Sequence, residues 1–107
     1  MSLKGLHRHE VPAVDEAALA AARDVEVLLA AARDVGAGRW EAYLAPLPDL
    51  LRDAPPADLR AVARRVRAAF GPKDSIVDAL PWAACLALRD HIDVLQRVLV
   101  RTEAARG

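Results

Sequence analysis

A chain of 107 residues has room for one hydrophobic core and too little for two. Fifteen basic residues balance fifteen acidic ones, and a formal charge of zero argues against a general attraction for nucleic acid or an anionic membrane. The apolar half is built from 24 alanines, 15 leucines and 11 valines, with Trp40, Trp82, Tyr43 and Phe70 as the aromatics, a supply that favours closely packed helices over sheets and leaves a thin hydrophobic term per residue, so that a dimer would add useful buried area.

Residues 1–12 read as a flexible N-terminal lead-in, polar and charged from Met1 to Val11 and closed by Pro12. It lacks the apolar core of a secretion signal. From Ala13 the pattern becomes helical, and 13–107 is expected to form a single domain. Ala18, Ala21, Val25, Leu28, Ala32 and Val35 recur at three- and four-residue spacing, which places them on one helical face. Asp15 and Glu16 sit in the first turn, where negative charge suits the helix dipole. Gly36 and Gly38 can take the left-handed conformation that ends a helix. The pentapeptide AARDV occurs at 21–25 and again at 31–35; ten residues is nearly three turns, so the two copies are expected to present similar faces.

A second segment starts near Arg39 with Trp40, Tyr43, Leu44, Leu47, Leu50 and Leu51 at helical spacing. Pro46 and Pro48 interrupt it, and the spacing predicts a kink or two short helices there. After a turn over 53–56 (DAPP), residues 57–70 form a third helix with Leu59, Val62, Val66 and Phe70 inward, stopped by Gly71-Pro72. Ser75 and Asp78 have the spacing of a capping pair. Pro81 suits the first turn of a last helix, whose stripe is Leu88, Ile92, Leu95 and Leu99. Arg89, Asp93 and Arg97 stand four apart on its outer side as a solvated face. Arg and Asp interrupt every apolar run before it reaches the length of a membrane span. The fold class is all-α, an irregular four-helix bundle with its second segment kinked by proline.

None of the reactive residues forms a persuasive catalytic set. His7, His9 and Glu10 are a fragment of a metal site without the three or four ligands that zinc needs. Cys85 lies mid-pattern with His91 off its face, so it reads as a buried core thiol, and a single cysteine excludes an internal disulfide framework and suits a reducing compartment. Asp74 and Asp78, and Asp90 and Asp93, are near one another, but capping and surface pairing account for them. Gly36 and Gly38 lack the strand and lysine of a phosphate loop. The expectation is a non-enzyme without cofactor or metal.

Two surfaces remain. The kinked segment, with Trp40, Tyr43, Leu44, Leu47 and Leu51, is a candidate protein interface, because tryptophan and clustered leucines supply contact area. Trp40 is open to a core reading as well. Arg60, Arg64 and Arg67 fall within a narrow arc and form a candidate face for an anionic partner. They serve equally as a charged face paired with acidic residues of another helix. Trp82, Phe70, Gly71, Ser75 and Asp78 are read as structural.

Trp40 followed by Leu44, the pair Leu50-Leu51, Phe70-Gly71 and Ser75-Ile76-Val77-Asp78 together resemble an uncharacterised group of small bacterial helical proteins, over about residues 35–80. In that group a similarly placed tryptophan segment precedes a glycine turn and a Ser-x-x-Asp element; Pro72 and Lys73 depart from its turn. The resemblance implies a bacterial cytoplasmic setting, no substrate, and a structural role for Ser75 and Asp78 in leading the chain into the next helix. The reading is a helical domain that associates with itself as a homodimer or binds another protein. A small nucleic-acid-binding regulatory protein using the arginine face and an accessory subunit of an enzyme are the alternatives, and no membrane partner is expected.

Overall fold

The computed structural model describes residues 3–106. Five α-helices carry the fold: α1 (Pro12–Val35), α2 (Gly38–Leu44), α3 (Leu47–Asp53), α4 (Pro56–Arg67) and α5 (Trp82–Arg106). Single 3-10 turns occupy Arg8–Glu10, Ala68–Phe70 and Ile76–Asp78. Because α2 and α3 are the two halves of one proline-bent segment, the architecture is an irregular all-α bundle of four helical segments.

The two long helices, α1 and α5, pack side by side and antiparallel. Asp24 and His91 meet near their midpoints, while Ala13, Ala17 and Ala20 line a groove with Val94 and Val98. Alanine explains the close approach. Ala18, Ala21, Ala22 and Ala32 are buried along α1 with Val14, Val25 and Leu28, and small side chains leave space that larger ones from other elements fill. Those larger residues come from α5 (Leu88, Ile92, Leu95, Leu99) and from the short helices.

The bend has a specific construction. Pro46 follows α2 and Pro48 stands in the first turn of α3, where its missing N–H breaks no intrahelical bond. α1 ends on Gly36 at φ 70°, with Ala37 N–H bonded to the Ala32 carbonyl at 2.8 Å and Gly36 N–H to the Arg33 carbonyl at 3.3 Å. That is a Schellman closure, and it turns the chain back so that α2 and α3 lie along α1.

Several expectations need correction. The lead-in belongs to the folded unit: Leu3 is buried in the core, and Arg8 reaches across to the end of α3. Its Nη1 donates to the carbonyls of Leu51 (2.8 Å) and Ala54 (2.9 Å), and its Nε donates to Asp15 at 2.8 Å. A helix C-terminus has carbonyls without intrahelical donors, and Arg8 supplies the donor. The AARDV copies share only part of a face: Ala22 and Ala32 are both buried and Arg23 and Arg33 both exposed, but the valines diverge. Val25 is fully buried and Val35 is 64 % exposed, because ten residues fall short of three full turns by roughly 80°.

The third helix stops as α at Arg67, not Phe70, and tightens into the 3-10 turn. Gly71 is extended (φ −67°, ψ 170°), so its use here is not a left-handed cap; the left-handed residue in this loop is Asp74 at φ 52°. Ser75 does cap, but it caps the 3-10 turn. Its Oγ accepts from Val77 N–H at 3.3 Å, and Asp78 is tied by its backbone N–H to the Ser75 carbonyl at 3.0 Å. Pro81 precedes α5 and offers its carbonyl to Cys85 N–H.

Candidate functional site

The apolar stripe of the bent segment is core. Trp40 is 6 % exposed, and Leu44, Leu47 and Leu51 are fully buried. A single-turn bend lets two seven-residue helices turn their apolar sides inward against α1, so Leu44, Leu47 and Leu51 are not left for a partner, and Leu50 is the leucine of this segment that stays exposed. Tyr43 is half-buried, packs edge-on against Trp40 with ring centroids 5.5 Å apart, and donates its hydroxyl proton to the Arg65 carbonyl. The candidate interface of Trp40, Tyr43, Leu44, Leu47 and Leu51 is therefore overturned as a surface of the folded chain.

Trp82 shows the reverse. As the first residue of α5 it stands roughly 110° away from the Leu88–Leu99 line, and it is 67 % exposed. It is not a core anchor. Phe70 is packed at the core's edge, beneath the Arg67 guanidinium at 5.7 Å.

The arginines of α4 divide. Arg60 Nη1 donates to both carboxylate oxygens of Glu103 at 2.8 and 2.9 Å, and Arg67 Nε donates to Asp93 at 3.1 Å. These two pairs stitch α4 to α5 near opposite ends of an antiparallel seam, as the paired-face reading expects. Arg64 lies between them, exposed, with no ion pair among the described residues. It lines a groove of about 260 Å³ with Arg60, Gln96, Leu99 and Val100. The groove opens onto a shelf of about 350 Å³ formed by Gln96, Arg97, Val100 and Arg101. Val100 is 59 % exposed, and Arg97 and Arg101, one turn apart, have no ion pair among the described residues. The result is an apolar ridge flanked by free guanidiniums.

On the opposite flank of α4 is a wider groove, about 600 Å³, between α3 and α4. Its floor is apolar (Pro46, Leu50, Pro55, Val62) and its rim is acidic (Asp49, Asp53, Asp58). Asp49 shares Arg52 with Glu26 on α1. The hydrogen bond to Glu26, then that to Asp49, holds the Arg52 guanidinium above its ordinary pKa. Asp53 and Asp58 have no cationic partner among the described residues.

The reactive side chains are committed elsewhere. Cys85 is buried, its Sγ 3.8 Å from the Ile76 and Leu80 carbonyls, and desolvation pushes its thiol pKa up, away from a nucleophilic thiolate. His91 is engaged with Asp24. Glu10 accepts from the His7 backbone N–H at 2.8 Å, closing the first 3-10 turn. Among the described residues no helix is long and apolar enough to cross a membrane.

No family model, curated protein or solved structure matches this chain. The surface itself therefore has to carry the functional argument. Arg64 was legible as a candidate in the sequence and Arg97 was read there only as part of a solvated face; Val100 and Arg101 were not singled out. Their signal was present: Val100 falls off the Leu95–Leu99 stripe, and the arginines flank it at one-turn spacing.

Proposed function

We propose that this chain is a non-enzymatic protein-interaction domain whose contact surface is the α4–α5 face. The observation that carries the reading is Val100, 59 % exposed beside Arg64, Arg97 and Arg101, which have no ion pair among the described residues. An exposed apolar side chain ringed by same-sign charge suits an amphipathic partner with carboxylates around an apolar anchor. Arginine is suited to such contacts because its planar fork meets carboxylates in two-point fashion. The resemblance to small bacterial helical proteins supports a bacterial cytoplasmic setting as part of the same proposal.

The nucleic-acid alternative draws on the same arginines. Against it, Arg60 and Arg67 already spend their charge on Glu103 and Asp93, and the aromatic ring beside this face, Phe70, is packed at the core's edge beneath Arg67 instead of standing open for a base to stack on. Site-specific photo-crosslinking separates the readings. A photoreactive residue at position 100, introduced in the source cells, is expected to yield a covalent adduct with a protein. The same residue at Val27, 58 % exposed on α1, is the control and is expected to yield none. A nuclease-sensitive adduct at position 100, or equal adducts at both positions, would overturn the proposal.

A further inference from the structure

The acidic α3–α4 groove and the basic α5 ridge are complementary in sign and in spacing. Asp49 and Asp53 are four residues apart on α3, and Arg97 and Arg101 are four apart on α5, so both pairs repeat at about 6 Å along a helix. Each pair has an exposed apolar side chain beside it, Leu50 at 38 % and Val100 at 59 %. The acidic surface is a groove, and the basic one is the exposed edge of α5 beside a shallow open shelf, a pairing suited to helix-in-groove recognition. They lie on opposite flanks of α4, so a single folded chain cannot bring its own pair together.

We propose that the α5 edge carrying Arg97, Val100 and Arg101 docks into the acidic α3–α4 groove of a second copy, so that copies of this chain associate head to tail. The inference deepens the protein-interaction reading of the α4–α5 face and rests on it. Val100 covers Leu50, while the two guanidiniums meet Asp53 on one wall and Asp58 on the other, and Asp49, already paired with Arg52, borders the contact. Because the donor and acceptor surfaces differ, the contact is heterologous and continues until a ring closes or an open chain forms. The overall charge of zero is consistent with this division of charge between faces, since opposite surfaces attract copies that carry no net repulsion.

The test is sedimentation equilibrium on the full chain across a wide concentration range, in about 0.1 M and about 1 M salt. Wild type is expected to grow beyond one chain with concentration, and less so at high salt. Reversing the groove (Asp53→Lys with Asp58→Lys) or the edge (Arg97→Glu with Arg101→Glu) is expected to weaken association by about tenfold or more. An equimolar mixture of the two variants restores opposite signs across the contact and is expected to recover association, a result that misfolding of either variant could not produce. Val100→Ser, which leaves every charge in place, is expected to weaken it as well. A wild type that stays at one chain at all concentrations, or a mixture that fails to recover, overturns the second-copy assignment. If position 100 nevertheless crosslinks to a different protein, the interaction reading stands and only this assignment falls; if it crosslinks to nothing, both fall.

Discussion

Replacing Arg8 with alanine tests whether the segment before α1 is part of the fold. The guanidinium makes three hydrogen bonds of 2.8–2.9 Å, two to α3 carbonyls and one to Asp15, with the side chain 14 % exposed. Hydrogen bonds involving a charged group contribute about 1.5–3 kcal/mol each, and a cation at a helix C-terminus about 0.3–1 kcal/mol. Two effects offset that sum. Arg8 Nη2 is buried without an acceptor among the described residues, and after truncation the freed carbonyls at the end of α3 gain access to water. The net cost is expected to be about 2–3 kcal/mol, which for a domain of this size lowers the melting temperature by about 10–15 °C. Arg8→Lys keeps the charge but loses the planar fork, and should fall between the two. Urea unfolding followed by helical circular dichroism gives the number directly. A loss within about 0.5 kcal/mol for Arg8→Ala, the level of an ordinary surface substitution, would refute the anchoring and return residues 3–11 to a detachable lead-in.

The two tryptophans should behave oppositely: Trp40→Ala is expected to cost about 3–5 kcal/mol and Trp82→Ala about 0.5 kcal/mol or less, with Trp82 supplying most of the acrylamide-quenchable fluorescence. Gly36→Ala places a β-carbon at φ 70°, where nothing lies within 4 Å to obstruct it. Its cost is therefore backbone strain alone, about 1 kcal/mol by thermal unfolding. Cys85 has a raised folded-state pKa through desolvation, so the unfolded chain loses its thiol proton first. Its contribution to stability is complete below about pH 8.5 and declines as pH rises through the folded-state value. The decline should vanish in Cys85→Ala, and thiol labelling of the native protein should proceed only as fast as the protein opens. Equal slopes for wild type and Cys85→Ala between neutral and alkaline pH would contradict that burial.

The helices are legible in the sequence, because periodicity and chain-breaking residues are local properties. The Ala18–Ala32 stripe, the break at Pro46 and Pro48 and the Leu88–Leu99 line each follow from spacing along a single segment. Gly36 was legible for the same reason, since a helix end with left-handed backbone needs only its own neighbours to be recognised.

What tertiary structure decided is which side of each element meets the core, and there composition misled. Large apolar residues are scarce, and hydrophobicity alone cannot tell an anchor from an exposed handle. Trp40 is buried because α1 offers an alanine face wide enough to receive it, and that vacancy exists only once α2 and α3 have folded back along α1. Trp82 is exposed because α5 begins at that residue, off the buried arc. The arginines of α4 divided on a similar ground: Glu103 and Asp93, more than twenty residues away in sequence, reach Arg60 and Arg67 across the α4–α5 seam and leave Arg64 free. Arg8 shows the rule most directly. Asp15, seven residues on, takes its Nε, but the other partners are carbonyls at the end of α3 more than forty residues later, brought within reach only by packing.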